Sequence, residues 1–107
     1  MNAETLKGHL DMLLLAAVRV GPSHGYSIAE RLRARSDGTF DLPEGTLYPA
    51  LHRLERAGLL SSRWSEVGGR RRRVYQLTRK GERALAKRQD EWRDFSRAVE
   101  SVVEGLA

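Results

Sequence analysis

Four consecutive arginines, Arg70, Arg71, Arg72 and Arg73, are the densest concentration of chemistry in this chain. Adjacent guanidiniums repel one another unless a polyanion or counterions lie close, and their planar forks match phosphate. On extended backbone successive side chains alternate, so two of the four point to each face of a strand. A second set with the same bias lies upstream, in residues 44–57: Gly45, Thr46, Tyr48, Pro49, His52, Arg53 and Arg56. Catalysis has far less to draw on. His9, His24 and His52 fall in or beside three different helical segments, with no paired acid at ligand spacing. No GxGxxG, Walker, HExxH or GxSxG pattern occurs. Cysteine is absent, which removes disulfides, thiolate metal sites and thiol nucleophiles together. The expectation is a protein that is no enzyme and uses no metal or cofactor.

The charge distribution favours a polyanion partner. The 107 residues carry 19 Lys+Arg and 14 Asp+Glu, a formal charge of +5. Residues 1–89 hold 17 basic and 9 acidic groups, whereas 90–107 hold 2 and 5, giving a basic body and an acidic tail. This length fits one small domain. With 31% charged residues it has little room for a large private core, which points to a second copy as partner. Met12 to Val18 is apolar, but Glu4 and Asp11 precede it, Arg19 ends it, and seven residues are far short of the roughly 20 that span a bilayer. It reads as a buried helix face in a cytoplasmic protein with no membrane partner.

The elements that must position these residues follow from periodicity and caps. A first helix is predicted from about Thr5 to Arg19, with Leu6, Leu10, Leu13, Leu14 and Ala17 inward, and Gly21-Pro22 stops it. Ser23 is the expected cap of a second helix over Gly25 to Ala34, with Tyr26, Ala29 and Leu32 inward, and residues 36–40 form a loop. Asp41-Leu-Pro-Glu44 offers a capping carboxylate, an early proline and an acid for a third helix to about Ala57. Gly58 follows as a left-handed cap. If Leu47, Leu51 and Leu54 face the core, then Gly45, Pro49, His52 and Arg56 lie opposite, with Thr46 and Arg53 on one edge and Tyr48 on the other. Leu60 to Glu66 and Arg72 to Leu77 alternate like the strands of a hairpin joined by residues 67–70, pairing Leu60 with Trp64 on one face and Tyr75 with Leu77. Thr78 caps a long last helix. On it Leu85, Arg88, Trp92, Phe95, Val99, Val102 and Leu106 step by threes and fours, with Val103 beside them.

This order predicts a mainly α (α+β) fold, a winged helix-turn-helix over residues 1–78 with a C-terminal dimerisation helix over 79–107. The third helix suits the major groove of duplex DNA, and the arginine hairpin suits its backbone or minor groove. Dimerisation through Leu85, Trp92, Phe95, Val99, Val102, Val103 and Leu106 would present two such helices to half-sites about 34–36 Å apart. Trp92 and Phe95, with Trp64, could also line an aromatic slot for a flat hydrophobic ligand. The competing reading is a winged-helix module that binds protein or RNA without operator specificity.

Several strings resemble the PadR family of bacterial transcriptional regulators. They are Gly21-Pro-Ser-His-Gly-Tyr-Ser-Ile28, Gly45-Thr-Leu-Tyr-Pro-Ala-Leu-His-Arg-Leu-Glu55, Gly58-Leu-Leu60, Gly69-Arg-Arg-Arg-Arg73 with Tyr75, and Leu77-Thr-Arg-Lys-Gly81. The resemblance runs from Leu13 to about Val103. It implies a DNA-binding winged helix with a dimerising C-terminal helix, usually a repressor. It also implies that Tyr26 touches phosphate and that Thr46, Tyr48 and Pro49 belong to the recognition helix. Some members sense phenolic acids, and others hold flat aromatic drugs between tryptophans that Trp64 and Trp92 would match. The chain is similar to the short branch, which has no separate sensory domain. Glu44 and Glu55 reduce the basicity of the third helix; Glu44 would read a cytosine amino group or serve the helix dipole.

Overall fold

The computed structural model describes residue 6 and residues 8–105. Among these the order is α1 (Leu10–Arg19), β1 (Ser23–His24), α2 (Gly25–Arg35), α3 (Glu44–Arg56), β2 (Leu60–Val67), β3 (Arg70–Leu77) and α4 (Arg79–Glu104). The predicted winged helix-turn-helix is present. The predicted start of the first helix at Thr5 lies outside the described residues.

Apolar residues at helical spacing give α1 a buried face of Leu10, Leu14, Leu15, Ala17 and Val18. This stripe is wider than the periodicity indicated, since Leu15 and Val18 are fully covered while Leu6 and Leu13 are only half-buried. On α2 the buried residues are Gly25, Ile28 and Leu32. Tyr26 therefore does not point inward as expected. It sits about 100° around the helix from Gly25, and it is 64% exposed.

Ser23 is not the cap of α2. It lies in β1, which adds to the edge of the hairpin by pairing Ser23 with Tyr75 and His24 with Val74. The cap is His24, whose Nδ1 accepts from the Ser27 backbone N–H. Arg31 closes this corner by donating to the Ala17 carbonyl at 2.6 Å and to Ser23 Oγ at 3.2 Å.

Helix α3 starts at Glu44, with Pro43 at the cap position and no capping side chain, so Asp41 does not have the role its sequence suggested. The reason is that Leu42 is drawn into the core; the Pro43 carbonyl accepts only the Thr46 and Leu47 N–H groups, as the backbone of any helix start does. Leu47, Ala50, Leu51 and Leu54 are buried. Gly58, at φ +79°, ends the helix with Leu59 N–H donating to the Leu54 carbonyl and Gly58 N–H to that of Glu55, a Schellman closure.

The strands of the hairpin run to Val67 and from Arg70, longer than predicted, because the turn is only Gly68-Gly69. Both glycines have positive φ, 60° and 75°, as a two-residue type I′ turn requires. The sheet order is β1-β3-β2, all antiparallel. Thr78 caps α4 as expected, its Oγ accepting from Gly81 N–H at 3.0 Å.

The first turns of α4 close the core. Leu85 is 1% exposed within its own chain, so its assignment to a dimer seam is overturned. Beyond it Trp92, Phe95, Val99, Val102 and Val103 remain exposed on the single chain. Leu106 lies outside the described residues.

Gly81 is buried against the end of β3. A Cβ there would stand 2.1 Å from the Leu59 carbonyl oxygen. Gly81→Ala should therefore destabilise by about 3 kcal/mol through overpacking, whereas an unhindered Gly→Ala change inside a helix stabilises by up to about 1 kcal/mol. Urea unfolding monitored by circular dichroism gives the sign.

Candidate nucleic-acid interface

Beside the N-terminal half of α3, the two-residue turn folds the arginine strand back towards the start of α2. The result is an open groove of about 560 Å³ lined by His24, Gly25, Tyr26, Glu44, Tyr48 and all of Arg70 to Arg73. Among the described residues Glu44 is the only carboxylate that lines it. Gly25 is needed here for space, because a Cβ would sit 2.5 Å from the Tyr48 ring. The groove thus depends on a glycine of α2 admitting an aromatic ring of α3.

The four arginines are not equivalent. Register pairs Trp64 with Arg73 and Glu66 with Arg71, which sets Arg71 and Arg73 on the Trp64 face and Arg70 and Arg72 on the other. The guanidiniums of Arg71 and Arg73 lie 4.7 and 5.2 Å from the Trp64 ring centroid, a cation–π pair on one indole. Arg73 also donates from Nε to Ser62 Oγ at 2.8 Å and faces Glu55 Oε2 at 3.5 Å, and Ser62 donates to the same carboxylate. Glu55 of α3 is thus bound to the hairpin, a role its sequence position did not reveal. Beneath this network burial, followed by the Glu55 charge, pushes the Tyr75 phenol above its usual pKa and keeps it neutral.

On the opposite face Arg72 Nη1 lies 3.0 Å from His24 Nε2. Burial first, and the Arg72 charge second, hold the His24 imidazole below its ordinary pKa of 6.5. Neutral His24 is what the cap requires, since Nδ1 accepts a backbone N–H only when unprotonated.

Of the α3 residues expected to face outward, Gly45, Pro49, His52 and Arg56 are exposed, Thr46 and Tyr48 half-buried. Arg53 is exposed as well, but its guanidinium already has a partner within the chain. Its fork is engaged by Asp11 of α1, Nη1 to Oδ2 at 3.0 Å and Nη2 to Oδ1 at 2.7 Å, and that hydrogen bonding raises its pKa. A guanidinium so committed has less to offer a phosphate than the sequence suggested. Asp11 gave no local signal, because its partner lies 42 residues away.

A second, smaller groove of about 340 Å³ lies between the start of α1 and the middle of α4, lined by Gly8, His9, Met12, Arg88, Glu91, Trp92 and Phe95. Trp92 meets His9 edge-to-face at 5.1 Å and Phe95 at 6.3 Å. Trp64 does not line it; within one chain its ring belongs to the hairpin and its arginines. Among the described residues there is no group of three His, Asp or Glu placed to hold a metal ion, and no helix long and apolar enough to cross a membrane.

Known proteins share this fold. Residues 14–87 match the profile of the transcriptional regulator PadR-like family. A transcriptional regulator of Mycobacterium tuberculosis is 40% identical over 76 residues, covering 71% of this chain and 68% of that protein. A solved transcriptional regulator from Clostridium thermocellum superimposes with a TM-score of 0.87 at 28% identity, over 95% of this chain and 100% of the other. A PadR family transcriptional regulator from Eggerthella lenta does so with a TM-score of 0.80 at 33% identity, over 94% and 87%.

The lowered His24 pKa gives a pH test. The unfolded chain takes up this proton first as pH falls through about 6.5, so the stability it contributes is complete above that value and declines below it. His24→Asn keeps an N-cap acceptor but cannot titrate. Between about pH 7.5 and about pH 5.5 the melting temperature of the wild type should fall more steeply than that of His24→Asn. Parallel curves would assign the linkage elsewhere.

Proposed function

Because the chain belongs to the PadR-like family of transcriptional regulators, we propose that it is a cytoplasmic, homodimeric repressor that binds a two-fold-related DNA operator through α3 and the β2–β3 hairpin. The observation that carries this reading is the convergence of Arg70–Arg73 with Tyr26 and Tyr48 on one open groove beside α3. Phosphate contacts by the hairpin arginines and Tyr26 position the duplex, and the outward residues of α3, namely Gly45, Thr46, Pro49 and His52, meet the base edges.

The small residues of α3 support this assignment. A Cβ on Gly45 would meet nothing within 4 Å inside the chain, so its smallness serves no internal packing. A bare backbone in open space beside a cationic groove suits close approach by an outside polymer. Residues 1–78 form the DNA-binding unit in this reading. Residues 79–107 form the helix that dimerises, its first two turns also completing the core. The uncovered stripe of Phe95, Val99, Val102 and Val103, exposed by 60, 41, 62 and 74%, favours a second copy as its cover.

The groove at Trp92 and Phe95 supports a further element, an effector. Its two aromatic rings, with His9 and Met12, suit a flat aromatic or phenolic compound, and its position on the dimerising helix lets occupancy bear on how the protomers sit.

Footprinting on the promoter region beside its own gene tests the DNA assignment. Protection of two half-sites about 34–36 Å apart is expected, and a preference for single-stranded RNA, or no protected duplex, would sink it. Replacing Arg70, Arg71, Arg72 and Arg73 by Ala should weaken binding to every DNA sequence and flatten the logarithmic salt slope by about 0.9 for each phosphate no longer neutralised. Gly45→Leu should leave folding intact and block the interface. For the effector, tryptophan fluorescence titrated with planar cationic and phenolic compounds should quench in the wild type and not in Trp92→Phe. An unquenched wild type up to the solubility limit would rule the effector out.

A further inference from the structure

One side chain of α1 touches both helices that the function described above makes use of. Asp11 has its carboxylate 19% exposed, accepts both prongs of the Arg53 fork from α3, and lies 3.7 Å from Arg88 Nη2 of α4. Arg53 is thus attached to a residue outside the interface. Arg88 in turn stands one turn before Trp92 and lines the aromatic groove with it. Two parallel N–H···O bonds fix direction as well as distance, which a single ammonium or a lone contact does not. The core holds α3 by Leu47, Ala50, Leu51 and Leu54 on one face. The Asp11–Arg53 fork fastens an edge of the helix that this face leaves open.

We propose that Asp11 is the positioning residue of the recognition helix, holding Arg53 as a strut that orients α3 against α1 and α4 rather than leaving it to contact DNA phosphate. The inference rests on α3 being the DNA-contacting helix. It assigns Arg53 away from the phosphate-binding set in which sequence had grouped it. Because the same carboxylate faces Arg88, the seating of α4 is registered at α3 through one acid, with no intervening loop.

A positioning strut and a phosphate contact respond differently to the same substitutions. Binding of the full-length protein to a fluorescein-labelled mixed-sequence duplex of about 30 base pairs, followed across a salt series, reads the difference. If Asp11 positions α3, Asp11→Asn weakens binding about three- to tenfold with the salt slope unchanged. Arg53→Gln does the same, and the double variant is no worse than either single one. Arg53→Lys behaves like Arg53→Gln, because it keeps the charge but not the fork. Arg88→Gln gives a smaller loss, of about twofold, that vanishes in the Asp11→Asn background.

The opposite pattern overturns the proposal. In it Asp11→Asn tightens binding by freeing Arg53, Arg53→Lys retains affinity, and Arg53→Gln flattens the slope by about 2 for a dimer. Additive losses overturn it as well. A wild-type protein that ignores the duplex at low salt would remove the DNA assignment and this inference together. Loss of binding on replacing Arg70–Arg73, with tightening by Asp11→Asn, would remove the strut alone. Melting curves of each variant, with the isosteric Asp11→Asn as the least disruptive, separate a misplaced helix from an unfolded one.

Discussion

A two-stranded ribbon with four adjacent arginines has no stability of its own in water, so its position depends on the apolar residues at its base. Leu60 on β2 and Tyr75 on β3 supply them, both nearly inaccessible and both in the same buried cluster as Leu14, Leu15 and Val18 of α1, Leu51 and Leu54 of α3 and Leu85 of α4. Removing these apolar anchors would detach the wing from the helices and separate every pair of residues that the interface needs together. The α4 helix enters the same cluster through Leu85, with Ala84 packed against it, so the body and the long helix share one core rather than meeting at a joint. This arrangement suits a short, highly charged chain, in which few residues are available for burial.

The arginines divide by what surrounds them. Arg31 satisfies the carbonyl end of α1, Arg53 is engaged by Asp11, and Arg73 is held by Ser62, Glu55 and the Trp64 ring. Arg72 stands against a neutral histidine; Arg71, which lies over the same Trp64 ring, and Arg70 are the exposed members of the run. Net charge attracts a polyanion from a distance, but the groups that can touch it are those not already committed within the chain. A positive sequence run therefore overstates the number of guanidiniums open to a polyanion, because the tertiary pairings engage several of them within the chain.

Much of the fold was legible because it is local. Leucines at spacings of three and four marked the buried face of α3, Thr78 marked the start of α4, and a glycine after Ala57 marked the end of α3. The Gly68-Gly69 turn was recognisable too, although the ladder extended closer to it than alternation alone suggested. What failed to be legible were features set by a distant partner. The β1 strand exists only because β3 offers an open edge, and its formation gives the capping role to His24 rather than Ser23. Leu42, by entering the core, displaced Asp41 from its expected cap. Leu85 continues the heptad spacing of α4, yet the body of its own chain covers it, and spacing cannot tell which neighbour does the covering.

The amino-acid sequence by itself determined the kind of protein this is: helices and a hairpin in winged-helix order, a run of arginines on that hairpin, small residues on the outer face of α3, and an apolar stripe on the last helix. Each of these depends on backbone preference and on residues a few positions apart, which a linear text contains. Only the tertiary structure decided which charges are committed and which are open, because that depends on pairings across 42 residues between Arg53 and Asp11 and 48 between Arg72 and His24. Electrostatic and hydrogen-bonding partners are chosen by distance in space, and distance in space follows only after the core has closed.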